Sequence, residues 1–488
     1  MDAADNSVSR RRFLGYLGAG AVGGASLALA ACGGGSGGSS GNPAPTGGAS
    51  SDLPSWLAAE AKPFKGRSIT VIAQQQYFAQ TNTDFANACA RFAQLTGTTV
   101  NVATVNADTG NVIGKQDAAV KSGNVQDMAF LQGSRFPSAF QQLGDLEPVD
   151  DVVKDLVTRY GAMADCNKIN LFINNHYWGI PYFALASGWF ARKDWLAEKK
   201  IKLSSVKTFA DARDVALELS DPAQQRYGWG MTTNRSGDGA GFILNVIESY
   251  GGAISSDDGK KVVFKSSQTQ EAVSFLADLY TNSKYSKMLP PGVNSWGDTG
   301  NNQAWLAGII GFTANQYSLY SQSKAQGNPV YPKTATFGGF TGPAVKEILD
   351  VGDCQAFMIF KGAKEPGLAK VLAKYLVYGQ PLLTLVKDSV GQVLPAYADI
   401  WNSNPFYLKG DQAFKGQYAT LTETLPIKSS SGFNFPQAPS PGQQAVQASY
   451  VLCDMMGSII QKKASVKQAI DSANQQIVQV FEQQGLPQ

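Results

Sequence analysis

The sequence predicts an α/β protein built on parallel strands, and three observations predict it. A β-branched strand, an amphipathic helix and a second strand follow one another between residues 68 and 103. The same alternation of strand-like and helix-like segments continues through most of the chain. With 488 residues and 43% apolar content, the chain is long enough for two or three domains, or one large two-lobed body, with filled cores.

Ser68-Ile69-Thr70-Val71-Ile72-Ala73 is short, apolar and β-branched, as a buried strand requires. The polar loop Gln74-Gln75-Gln76-Tyr77-Phe78 follows it. A helix then opens near Thr81 or Thr83, puts Phe85, Ala88, Cys89, Phe92 and Leu95 on one face, and closes at Gly97. Residues 98–103 are the second strand, and these lengths predict one right-handed βαβ unit. Further strands are expected at 126–131 and 179–185, with a short one at 309–312. Helices are expected at Phe209–Leu219, 268–279, 365–378, 443–461 and 465–483. Ser465 caps the last, and Val466, Ile470, Ala473 and Ile477 form its apolar face. Trp178 and Trp189 read as core residues.

Composition narrows the function. The net charge is +3, and Arg10, Arg11 and Arg12 against Asp2 and Asp5 account for +1 of it. The remainder is nearly neutral and has no long Lys/Arg run, which argues against a nucleic-acid surface. Charged residues make up only 16% of the chain, so surface polarity rests on Gln, Asn, Ser and Thr, and neutral small molecules become the expected ligands. The single histidine, His176, excludes chemistry that needs two imidazoles, including a His-rich zinc site. It reads as a surface histidine; no cofactor and no metal site are expected.

The N-terminus reads as an address and an anchor. Ser9-Arg10-Arg11-Arg12-Phe13-Leu14 is a near-complete twin-arginine signal, followed by a Gly/Ala-rich apolar stretch too short to span a membrane stably. Leu29-Ala30-Ala31-Cys32 matches a lipobox, which makes residues 1–31 a signal peptide and Cys32 the lipidated residue. Residues 32–62 are expected to be the lipidated end and a Gly/Ser/Pro tether, with a reach of roughly 25–30 Å. The chain would then sit on the outer face of the cytoplasmic membrane. Cys89, Cys166, Cys354 and Cys453 allow three pairings; because twin-arginine cargo folds in a reducing compartment, the fold should not depend on any of them.

Several segments, in order, resemble the family 1 extracellular solute-binding proteins, which carry sugars and related solutes to ABC importers. Phe92-Ala93-Gln94-Leu95-Thr96-Gly97-Thr98-Thr99-Val100 is similar to the family's first helix-to-strand passage. Gly123-Asn124-Val125-Gln126-Asp127 and Leu143-Gly144-Asp145-Leu146-Glu147-Pro148-Val149-Asp150-Asp151 resemble its paired acidic segments. Tyr177-Trp178-Gly179-Ile180-Pro181-Tyr182 resembles its crossover strand, and Trp305-Leu306-Ala307-Gly308 a helix end. Two departures stand out: Arg192 replaces Asn in the family's Tyr-Asn-Lys-Asp, and no Lys follows Gly308. The resemblance implies a periplasmic-binding-protein fold of two lobes, each a mostly parallel sheet flanked by helices, closing at a hinge. Lobe 1 is expected from 66–182 plus 354–400, and lobe 2 from 183–353 plus 401–488. It also implies a monomeric, non-enzymatic carrier that delivers its solute to ABC permease subunits.

Ligands of open parallel sheets bind beyond the carboxyl ends of the strands, so the loops there supply the candidates. Gln75, Gln76 and Tyr77 follow the first strand; Gln132, Ser134 and Arg135 follow the strand at 126–131; Asn315, Gln316 and Tyr317 follow the short strand at 309–312. Amides match vicinal hydroxyls without a charge to desolvate, and aromatic rings match the C–H faces of sugars. Tyr182 in the crossover segment is a further candidate. The resemblance adds Trp296 and Phe433 by their loop positions. Two rival readings remain. An anionic solute such as a phosphorylated polyol would use Arg135 and Arg235 as clamps. A secreted glycosidase would need two converging acids, with Asp150, Asp151, Asp257, Asp258 and Asp353 available.

Overall fold

The computed structural model describes residues 53–106, 112–133, 135–346, 352–404 and 440–488, together with Phe406 and Lys415. The described chain begins with a helix, α1 (Ser55–Ala61), where a tether had been expected as far as residue 62. Leu57 and Ala61, one helical turn apart, are buried, and the guanidinium of Arg159 lies 3.7 Å from the Trp56 ring centre. The Gly/Ser/Pro composition of the tether had hidden this short apolar face.

The βαβ unit follows as expected. β1 (Ser68–Gln74) and β2 (Thr99–Val105) pair in parallel, with Val71 opposite Val102. Between them α2 (Ala79–Thr96) buries Phe85, Ala88, Cys89 and Phe92, and Gly97 ends it at φ +68°, a conformation that favours glycine. β1 also pairs in parallel with β3 (Met128–Gln132). With β4 (Ile180–Leu185), β9 (Asp353–Ile359) and β10 (Leu394–Pro395) these strands form a six-stranded sheet in the order β10-β4-β9-β3-β1-β2. A second sheet, in the order β8-β5-β7-β6, is made by β5 (Ser187–Arg192), β6 (Tyr227–Trp229), β7 (Ile310–Gln316) and β8 (Thr334–Phe337). Parallel pairs occur in both sheets (β6 with β7 in the second), while β4 and β9, which enter from a crossing, pair antiparallel.

The chain passes from β4 to β5 with Ala186 alone between them, so the first crossing comes three residues later than residues 182/183. The return falls at the start of β9, at Asp353. The third crossing, expected at 400/401, has not been reached there, since the helix Ala398–Ser403 still packs on β10 of the first sheet. Helices α3 (Arg135–Leu143), α4 (Phe209–Leu219), α5 (Gly237–Ser249), α6 (Ser267–Thr281), α7 (Ser318–Ala325) and α8 (Pro366–Leu376) flank the sheets. The expected helix at 443–461 is two: α9 (Pro441–Ser449) and α10 (Val451–Ile460), divided at Tyr450 with φ +57°. α11 (Val466–Gln483) opens on Ser465 with a capping box closed by Gln468. α10 packs on α5 and α6, α11 on α6, and α9 touches α3 of the first lobe.

The two departures from the family pattern meet in space. Arg192, almost buried, sends Nε and Nη2 to Asp194 at 2.9 and 2.7 Å and Nη1 to the Gly308 carbonyl at 2.8 Å. A forked guanidinium thus fastens β5 to the turn before β7. Cys89, Cys166, Cys354 and Cys453 are all buried and free, and burial pushes each thiol well above its ordinary range.

Asp127, at the start of β3, is the polar knot of the first lobe. Its Oδ2 accepts from the Thr70 amide at 2.8 Å and the Thr70 hydroxyl at 3.0 Å, and its Oδ1 accepts from the Glu365 amide at 3.0 Å. It joins β1, β3 and the N-terminus of α8. Asp127→Ala strands two backbone N–H groups and is expected to destabilise the protein by about 2–4 kcal/mol. A lowered urea midpoint at unchanged slope is the measurement.

Candidate ligand-binding cleft

A cleft of about 670 Å³ opens between the two sheets. The carboxyl ends of β1, β3 and β7 reach it with Gln74, Gln132 and Gln316, and Asp353 at the head of β9 stands at its floor. This is where open α/β sheets place ligands, because strand ends leave polar backbone and loop side chains free of the helical layers. Seven glutamines and four asparagines line it, with three carboxylates, Asp238, Asp298 and Asp353. No Lys, Arg or His belongs to the described lining.

The amides are oriented by one another. The backbone N–H of Gln132 donates to Gln74 Oε1 at 3.0 Å, and the backbone N–H of Gln76 donates to Asn82 Oδ1 at 2.8 Å. Asn315 Nδ2 donates to Asn302 Oδ1 at 2.6 Å. Side-chain hydrogen bonds also bridge the lobes. Gln132 Nε2 donates to Gln316 Oε1 at 3.1 Å, and the Tyr77 hydroxyl donates to Gln322 Oε1 on α7. Burial pushes the Tyr77 phenol above its ordinary range, against a smaller lowering by a hydrogen bond with Asn302. On the second lobe, Asp238 Oδ2 accepts from Asn301 at 2.9 Å, and Asp298 Oδ1 accepts from the Asp238 amide at 3.0 Å. The acidic wall is therefore knit from the first turn of α5 and the segment carrying Asp298 and Asn301.

Of the residues expected from sequence, Gln75, Gln76, Tyr77, Gln132, Asn315 and Gln316 come together along this cleft. Three lie elsewhere. Tyr182 is fully buried, its ring against Phe183 and Phe357, because its position on the central strand β4 turns it into the core. Tyr317 is fully buried against Phe190 and Tyr320. β7 runs on to Gln316, past the expected end at 312, so Asn315 and Gln316 close the strand and Tyr317 turns back under it. Trp296 is half-buried and outside the lining: its ring packs under Gly300, and its carbonyl accepts from Thr232 and Asn234 at 3.3 and 3.2 Å. Ser134, the side chain of Arg135, Phe433 and Cys32 lie outside the described residues.

The rival candidates are scattered. Arg235 makes a forked pair with Asp454, Nε and Nη2 each at 2.8 Å, in a separate hollow of about 430 Å³ beside α10 and α11. Asp150 accepts from Tyr177 and meets His176 at 2.9 Å on the surface, Asp151 pairs with Lys370, and Asp258 sits in an exposed turn with Ser256. Only Asp353 of those acids lines the cleft.

Sequence reasoning missed Asn106, Asp238, Asn245, Asp298, Asn302, Gln392 and Gln447. One of these had a signal. Asn245 interrupts Phe242-Ile243-Leu244 and Val246-Ile247 on a helix otherwise buried almost all round, and a lone amide there needs a polar outlet. Asn106, Asp298 and Gln392 come from loops, and Asp238, Asn302 and Gln447 from helices whose apolar pattern does not report which polar side chain faces the cleft.

The fold and this cleft define a solute-binding protein, and the chain belongs to the bacterial extracellular solute-binding protein family, whose pattern matches residues 76–377. An arabinooligosaccharide-binding protein of Halalkalibacterium halodurans is 26% identical over 176 residues, 36% of this chain and 37% of that protein. A maltotriose-binding protein of Pyrococcus abyssi is 25% identical over 158 residues, 32% of each. The match thus spans about a third of the length of these curated relatives. The crystal structure of an ABC transporter solute-binding protein from Thermotoga lettingae, bound with α-D-tagatose, superposes with a TM-score of 0.68 at 18% identity, over 85% of this chain and 100% of that one. It shares the fold.

Tyr77→Phe removes one bridge between the lobes while keeping the ring. It is expected to leave the melting temperature within about 1 °C, since the residue is 44% exposed. It should speed solute release about fivefold, the worth of one neutral hydrogen bond, as read by stopped-flow dissociation.

Proposed function

We propose that the protein captures a neutral polyhydroxylated solute, a sugar or short oligosaccharide, between its lobes and hands it unchanged to an ABC permease. One observation carries the reading: the described lining of the cleft is dominated by carboxamides and carboxylates and contains no cationic side chain. Each carboxamide offers two donors and two acceptor lone pairs, so it satisfies a hydroxyl in either sense without burying a charge. The carboxylates accept from hydroxyls more strongly than amides do. A phosphate ester would meet Asp238, Asp298 and Asp353 with no described cation to offset them, which places the anionic solute second. The sugar-binding names of the two curated relatives support the same class.

Among the described lining residues, Tyr77 is the one large aromatic whose ring is substantially exposed, as Trp189 and Phe242 are buried. In this reading hydrogen bonding by the amides and carboxylates, more than stacking, selects the solute. Closure about Ala186 and Asp353 brings Gln132 and Tyr77 against Gln316 and Gln322, trapping the solute without a bond being made or broken. In this reading the protein is a monomer exported by the twin-arginine route. It is held outside the cytoplasmic membrane by a lipid on Cys32, with a tether that ends at α1.

A thermal-shift screen of residues 53–488 against arabinotriose, maltotriose, tagatose, ribitol and glycerophosphocholine tests the class. At a hundredfold excess over Kd, a neutral saccharide or polyol should stabilise the protein by about 2.7 kcal/mol, a rise of a few degrees. A shift by glycerophosphocholine alone would overturn the neutral-solute reading. Release of monosaccharide during overnight incubation of the pure protein with maltotriose would overturn the carrier reading.

A further inference from the structure

The cleft is underlain by a chain of side-chain amides whose members all donate in one sense. Gln355, fully buried on β9, sends Nε2 to Gln76 Oε1 and to Gln132 Oε1, each at 3.0 Å. Gln132 Nε2 donates onward to Gln316 Oε1 across the lobes at 3.1 Å. Gln132 Nε2 and Gln316 Nε2 both point to Asp353 Oδ2 at 3.5 Å, the outer limit of a hydrogen bond. A lone carboxamide turns over easily, because its two ends differ little in shape. Here the carboxylate of Asp353, which only accepts, stands at one end of the chain, and at the buried end the Gln355 NH₂ occupies the Oε1 atoms of both Gln76 and Gln132. With their Oε1 atoms engaged, Gln76 and Gln132 must turn their nitrogens toward Gln74, Gln316 and the cleft; Gln76 Nε2 already donates to the Gln74 carbonyl at 2.9 Å.

We propose that Gln355 is a positioning residue for lobe closure: it fixes the sense of the Gln132 amide so that this amide donates to Gln316 of the other lobe. It does so from β9, the strand that returns the chain from the second sheet to the first, without touching solute. The same constraint makes this part of the cleft floor present N–H donors, so it reads acceptor oxygens on the solute. The inference rests on the solute-capture reading for its effect on binding and on the hydrogen-bond chain for its effect on closure.

Gln355→Met tests it. The side chain keeps its length and removes both donors. It also removes Gln355 Oε1, which is buried with no hydrogen-bond partner, so the fold loses an unsatisfied acceptor together with two bonds. Without solute, the melting temperature is expected to stay within a degree or two of the parent or to rise. A merely structural role for Gln355 would lower it. Solute release, measured by stopped flow with whichever of arabinotriose, maltotriose, tagatose and ribitol stabilises the parent, should quicken about tenfold with the association rate unchanged.

Gln316→Met should give a similar increase in release rate, and the double variant should add nothing further, as expected for two members of one chain. Small-angle scattering of the solute-free proteins supplies an arm that needs no ligand: the Gln355→Met profile should be more open than the parent's. An unchanged scattering profile together with an unchanged release rate overturns the inference, as does full additivity of the two substitutions. If no compound of the panel binds the parent, the sugar reading fails and scattering alone decides: a more open variant supports the role of Gln355, and an identical profile removes it.

Discussion

The structure depends on a backbone constraint: the chain leaves the first sheet at Leu185 and joins the second at Ser187, with one residue between. Two sheets tied this closely cannot move apart as independent domains; they can only bend about the tie. A second tie, at Asp353, joins the same two sheets, an arrangement that suits the proposed hinge. The cleft lies beside these two ties, and Gln132 and Tyr77 meet Gln316 and Gln322 across it. Apolar packing continues across the same region, from Leu185 and Ala186 to Phe190, Tyr317 and Tyr320. That continuity gives the hinge a dry support on one side and leaves the polar groups on the other.

Polar chemistry at the hinge is expensive unless every group is paired, and the chain meets this with amides rather than ions. Gln355, Gln132, Gln316 and Asp353 form one connected set, and Asn302 with Asn315 another. A salt bridge in the same place would hold the lobes more tightly and would attract counter-charged solutes. Amides hold them more weakly, which suits the proposed capture and release of a hydroxyl-rich solute. The ionic fork of Arg192, by contrast, is placed away from the cleft, where it fastens β5 to the Gly308 turn and takes no part in selection.

Much of the framework was legible in the residues. The β-branched run at 68–73, the helical spacing of Phe85 to Leu95 and the closing Gly97 report short-range preferences that the tertiary structure had only to accept. The amides at strand ends were legible for a similar reason: in an open sheet the carboxyl end of a strand points to the ligand side whatever the loops do. Tyr182 and Tyr317 were not legible, because a tyrosine next to a cleft has the same local sequence whether its ring turns toward solute or toward Phe357 and Phe190. α1 was hidden by its low-complexity neighbours, and the break at Tyr450 by an apolar pattern that runs through it without interruption.

By itself, then, the sequence determined the α/β class and the first βαβ unit, since periodicity, turn residues and composition are local properties, and its ordered motifs carried the resemblance to the family. Tertiary structure alone decided where Asp238, Asp298 and Asn302 stand, which aromatics are buried, and that Gln355 reaches both Gln76 and Gln132. Those relations join residues up to 279 positions apart, as with Gln76 and Gln355. Only the order in which distant strands pair within the sheet specifies such contacts, because no local preference acts over that separation.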